Sequence, residues 1–97
     1  MGLDVYVENQ VHDRSYAGPE PGNWLTSLLP FATEGGQLHC VFEYGDTMFN
    51  IVQMRQLLDE IDKISNSVPS VEPAGAGLTD LIHAVIKRRG YLWVSGD

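Results

Sequence analysis

His12, His39 and His83, the single Cys40 and thirteen carboxylates are the side chains of this 97-residue chain with chemistry beyond packing. Asp80 and His83 stand three apart on a helical spacing, and His39 and Glu43 share a candidate strand, so both pairs offer ligands of the type zinc accepts. A structural zinc site takes four such ligands and a catalytic one usually three. No HExxH or paired-cysteine spacing draws these residues together. The simpler reading leaves Asp80 to serve a helix N-terminus and treats the histidines as surface or half-buried groups. Cys40 beside an imidazole would make a thiolate nucleophile. Its parity with Leu38 and Phe42 points instead into the core, where it acts as a small hydrophobe. Ser27, Ser65 and Ser95 sit in no nucleophile-elbow context.

Asp4 or Glu8 near Glu43, across adjacent strands, would form an acid/base pair if burial raised one pKa. Two solvated carboxylates on an open sheet face are the plainer expectation. Gly18-Pro19-Glu20-Pro21-Gly22 has proline where a phosphate cradle needs donating N–H groups, and Gly75-Ala76-Gly77 follows a proline-rich stretch and no strand. Lys87-Arg88-Arg89 is first a helix C-terminal feature. The residues therefore assign no catalytic group, no cofactor site and no metal ligand.

Charge is more informative. Residues 1–54 hold seven acids against Arg14 alone, whereas residues 55–97 hold six acids against five bases, so the net of −7 arises almost entirely in the first half. Such a field repels phosphate backbones and anionic lipid heads and steers in a basic protein partner. One cysteine excludes an intramolecular disulfide and fits a reducing compartment. The Met1–Glu8 segment has no basic region of the secretory kind, and no apolar run approaches the ~20 residues that span a bilayer, so the expectation is cytoplasmic.

The elements that would position these groups follow from periodicity. Leu3, Val5 and Val7 alternate with Asp4, Tyr6 and Glu8, the pattern of a half-buried strand over residues 3–8. Residues 9–23, with two prolines and two glycines in their second half, read as a loop, and Asn23 would cap a short helix that Pro30 ends. A second strand is expected over 37–44, where Leu38, Cys40, Phe42 and Tyr44 oppose His39, Val41 and Glu43. Ile51, Met54, Leu57, Leu58, Ile61 and Ile64 define a helix over 50–65, capped by Asn50 or Thr47. Residues 65–77 read as a connecting loop. Leu78, Leu81, Ile82, Val85 and Ile86 give a second helix over 78–89 with Gly90 as its stop, and 91–94 a last strand. The whole is expected to be one α+β domain, residues 1–97. Its short, antiparallel sheet of about three strands carries both helices on one face. Trp24, Phe31 and Trp93 are expected to complete the core.

On that layout the uncovered face is an acidic plate with an aromatic centre, formed by Asp4, Tyr6, Glu8, His39, Glu43 and Asp46. Aromatic anchors with charged rims suit a protein partner. In size and composition the chain is similar to immunity proteins that neutralise nuclease toxins, a likeness that covers no particular residues. The resulting expectation is a non-enzymatic, protein-binding module, an inhibitor or immunity factor for a basic toxin or nuclease. Two other expectations compete with it. One is a small metal- or ligand-binding enzyme domain using His39, His83 and nearby acids, and the other is an accessory subunit of an oligomer.

Overall fold

Leu3, Val5 and Val7 point to one side of the first strand, and the three helices pack on that side. The computed structural model describes residues 2–96; Met1 and Asp97, the ends of the expected 1–97 domain, lie outside them. The elements are β1 (Leu3–Glu8), β2 (Arg14–Tyr16), α1 (Pro19–Leu28), β3 (Asp46–Phe49), α2 (Ile51–Ser67), α3 (Glu72–Lys87) and β4 (Tyr91–Gly96). The strands form one antiparallel sheet in the order β2-β1-β4-β3. The α+β class and antiparallel sheet are as expected, with a fourth strand and a longer helical share.

One core joins Val5 of β1, Leu92 and Val94 of β4 and Phe49 of β3 to Leu25 and Leu28 of α1, Met54, Leu57 and Ile61 of α2, and Leu78, Ile82 and Val85 of α3. The strand members share one parity, so the helices cover a single face of the sheet. No helix among the described residues is long and apolar enough to cross a membrane.

The helix expected over 50–65 is α2. Asn50 accepts the Gln53 N–H through its side chain while the Gln53 side chain accepts the Asn50 N–H, both at 2.9 Å. This reciprocal pair is a capping box that satisfies two otherwise orphaned donors.

Residues 37–44 do not form a strand. The Glu60 carboxylate, on α2, accepts the backbone N–H groups of Gln37 and Leu38 at 2.7 and 3.0 Å. Gln37 Nε2 also donates to Gln56 Oε1 at 2.6 Å. These bonds hold Leu38–Cys40 in a 3-10 turn with Leu38 buried, and the chain then runs as a loop to β3. Cys40 is consequently exposed and not in the core, its thiol lying 3.5 Å from Gly36 O.

The expected loops are also shorter than their proline and glycine content suggests. Within residues 9–23 lie β2 and the start of α1, because Pro19 occupies the first turn of the helix, where its missing N–H costs nothing. Within 65–77, α2 continues to Ser67 and α3 begins at Glu72 with Pro73 in its first turn. Gly75 and Gly77 are interior helical residues that admit close neighbours. A Cβ at 77 would lie 2.6 Å from the Trp24 ring, and one at 75 would lie against Ser65 Oγ. α3 ends in a Schellman pattern, with Arg89 N–H donating to Ile86 O and Gly90 N–H to Val85 O. The left-handed position is thus Arg89 (φ 56°), not Gly90, and Gly90 is small because its Cα passes beside Glu8 O.

Candidate site on the uncovered sheet face

The face without helices is built from the other strand parity. Register places it in three rows: Asp4, Ser95 and Asp46; then Tyr16, Tyr6, Trp93 and Met48; then Arg14, Glu8 and Tyr91. The first row puts two carboxylates on either side of a serine, and the second is a band of three aromatic rings and a thioether. The Tyr6 and Tyr16 ring centroids are 5.5 Å apart and tilted by 53°, within the range of favourable aromatic pairs.

Arg14 organises the third row. Its Nε donates to Glu8 Oε1 at 2.9 Å, and its guanidinium carbon sits 3.7 Å from the Trp93 ring centroid. It reaches from β2 across β1 to β4. Glu8 Oε2 pairs with His12 Nδ1 at 3.0 Å, and the His12 ring lies nearly parallel to Tyr91 at 6.2 Å between centroids. The Glu8 side chain is only 5% exposed. His12 above all, and also Arg14, hold its carboxyl below the usual glutamate range against the opposing effect of desolvation. The indole Nε1 is itself buried and makes no hydrogen bond among the described residues.

Tyr16 is shifted the other way. Desolvation, followed by the negative charge of Asp4 and the neighbouring Tyr6, pushes its phenol above the ordinary tyrosine value.

Between these rows lies a depression of about 240 Å³ lined by Tyr6, Arg14, Asp46, Trp93 and Ser95. Glu8 is matched by Arg14, whereas Asp4 and Asp46 are exposed and form no salt bridge among the described residues. The uncompensated charge on the face is therefore negative and concentrated in the Asp4–Ser95–Asp46 row. A larger hollow of about 360 Å³ separates β2 from α3, with Val7, Leu81 and Val85 on its wall and Asp13 and Arg88 at its rim.

Of the six residues expected on this surface, Asp4, Tyr6, Glu8 and Asp46 are brought to it. His39 and Glu43 are not, because the strand assumed to carry them is a 3-10 turn and a loop. His39 is exposed in the turn, and Glu43 lies at the end of the sheet, its carbonyl beside Gly96. Glu8 reaches the face but is ion-paired and buried, so it offers no free charge. Arg14, Tyr16, Tyr91, Trp93 and Met48 complete the surface and were not assigned to it from sequence. Trp93 belongs to the open face and not to the core. Phe31 is 41% exposed, and Trp24 packs against the core.

Among the described residues, the Glu8–His12 contact is the one place where acid/base chemistry has its local geometry, a carboxylate fixing an imidazole tautomer. No hydroxyl or thiol hydrogen-bonds to that imidazole among the described residues. His39 and His83 stand on different elements, and no three of the described His, Cys, Asp and Glu side chains are grouped to hold a metal ion. The chain matches no protein-family model, no curated protein and no solved structure.

Proposed function

We propose that this chain is a protein-binding module whose uncovered sheet face takes a basic segment of a partner protein, as an inhibitor or immunity factor acting on a basic toxin or nuclease would. The supporting observation is the Asp4–Ser95–Asp46 row beside the Tyr6–Trp93 band. The unpaired carboxylate of Asp46 lines an aromatic depression, and that of Asp4 stands in the same row of the helix-backed sheet. Aromatic and thioether surface supplies contact area, and the carboxylates select for lysine or arginine and speed encounter. Arg14 does not oppose this, because Glu8 matches its charge. A strand-borne surface also requires little ordering on binding, which favours affinity.

Titration with an eight-residue oligoarginine peptide, followed by tryptophan fluorescence, tests the reading. Affinity is expected to fall with salt and to drop at least tenfold in the Asp4→Asn/Asp46→Asn double variant. Asp59→Asn/Asp62→Asn removes the same charge from the solvent side of α2 and is expected to leave affinity within about twofold. Equal losses in both variants would show attraction to net charge alone and contradict the proposal.

A further inference from the structure

The side of β3 that faces away from β4 has no neighbouring strand among the described residues, and one hydrogen bond fixes the direction of its backbone groups. Gly96 N–H donates to Gly45 O at 2.8 Å, and these residues continue the register in which Asp46 faces Ser95 and Thr47 faces Val94. In an antiparallel ladder, opposed pairs alternate between exchanging both hydrogen bonds and exchanging none. Thr47 and Phe49 therefore bond inward to β4, and the N–H and C=O groups of Asp46 and Met48 point out of the sheet. The same alternation reappears at the other edge, where Ala17 N–H reaches Val5 O at 2.9 Å.

An edge of this kind is a template for another strand, and proteins blunt it with proline, charged side chains, bulges, very short strands or a covering element. The four-residue Asp46-Thr47-Met48-Phe49 edge has no proline, lysine or bulge, and its one charge, the Asp46 carboxylate, repels an acidic strand and attracts a basic one. Its surroundings are apolar and acidic. Phe42, Tyr44 and Met48 are 58%, 64% and 40% exposed, and Glu43 and Asp46, the charged residues of the 41–50 segment, are both exposed without a salt bridge among the described residues. The opposite edge differs in sign and length. β2 has three residues, its outward groups belong to Arg14 and Tyr16, and Gly18 and Pro19 follow at once.

We infer that an extended, basic segment of the partner protein adds to the sheet as a fifth strand along β3, pairing with the outward groups of Asp46 and Met48. The inference rests on the docking role proposed for the open face and supplies its mode. A strand placed ~4.8 Å beyond β3 sets every second side chain on the open face, beside Asp46 or Met48. A lysine or arginine there reaches over Asp46 toward the depression, while the backbone bonds fix register.

The test uses an eight-residue peptide alternating lysine and threonine, together with two versions N-methylated on alternate amides, one on the odd and one on the even positions. Amide exchange of Asp46 and Met48 is expected to slow at least tenfold with the parent peptide. One methylated version is expected to bind at least tenfold more weakly and the other to bind as the parent does, because only one set of amides faces β3. If both methylated versions bind as the parent while Asp4→Asn/Asp46→Asn still weakens it, strand addition is overturned and the face remains the docking site. If the parent peptide fails to bind, or binds without regard to Asp4 and Asp46, the docking role itself fails. Slowing of the Asp46 and Met48 amides with rising protein concentration and no peptide would replace the partner with a second copy of the chain and overturn the inference.

Discussion

The Arg14 guanidinium carbon sits over the Trp93 ring, 3.7 Å from its centroid, although the two residues belong to strands separated by β1. The contact ties the short edge strand β2 to the centre of the sheet and leaves the Glu8 carboxylate under a cationic lid. It also makes Trp93 a reporter of the open face.

Replacing Arg14 by lysine keeps the charge but loses the planar group that stacks and donates to Glu8 in one geometry. Arg14→Lys is expected to lower stability by about 0.5–1 kcal/mol, the range of an exposed cation–π contact. Denaturant melts and the tryptophan emission maximum check this, with a red shift expected as the indole is uncovered.

Glu8 makes stability depend on pH. Its folded pKa is depressed, chiefly by His12, so its contribution is fully present above the unfolded value of about 4.3 and is lost as pH falls from there through the lowered folded value. Glu8→Gln is expected to flatten this acid limb of the melting temperature while leaving the profile above about pH 6 parallel to wild type. An unchanged acid limb would mean that Glu8 is not held as described.

Tyr16 is expected to ionise above the ordinary tyrosine value of about 10 in an ultraviolet titration. Desolvation is the leading cause and the Asp4 charge the second. Asp4→Asn is therefore expected to lower the Tyr16 midpoint without returning it to the ordinary value.

Arg89 bears the strain of a left-handed residue at the end of α3, with φ of 56°. Arg89→Gly is expected to stabilise the protein by about 1 kcal/mol, since glycine adopts this conformation without the Cβ penalty. Equilibrium unfolding measures it.

Gly77→Ala tests the packing of α1 on α3. Alanine is the better helix former by about 1 kcal/mol, but its methyl would press into the Trp24 ring. Overpacking of about 1–3 kcal/mol outweighs the propensity gain, so net destabilisation is expected. Gly75→Ala is expected to cost less, because its nearest neighbour is the Ser65 hydroxyl, which can rotate away.

What could be read from sequence was local. The alternation of Leu3–Glu8 and the stripe of Ile51–Ile64 each carry their own period, and Asn50 caps α2 with a partner three residues on. The 37–44 alternation misled because the decisive partner of that segment, Glu60, lies 22 to 23 residues away and takes the Gln37 and Leu38 amides. β2 and β3 are too short to display a period, and Pro19, Pro73, Gly75 and Gly77 mark helix starts and tight contacts as readily as loops. For the surface, Asp4, Tyr6 and Glu8 were grouped by parity within one strand. That Arg14, Tyr16 and Trp93 stand beside them depends on strand order and register, which no local pattern encodes.

The most direct measurement is amide chemical-shift mapping of the protein titrated with oligoarginine. Shifts are expected to centre on Asp4, Tyr6, Trp93, Ser95 and Asp46, the residues of the open face, with the solvent sides of α2 and α3 unchanged. Shifts centred on Asp59 and Asp62, with the sheet unaffected, would contradict docking on the open face.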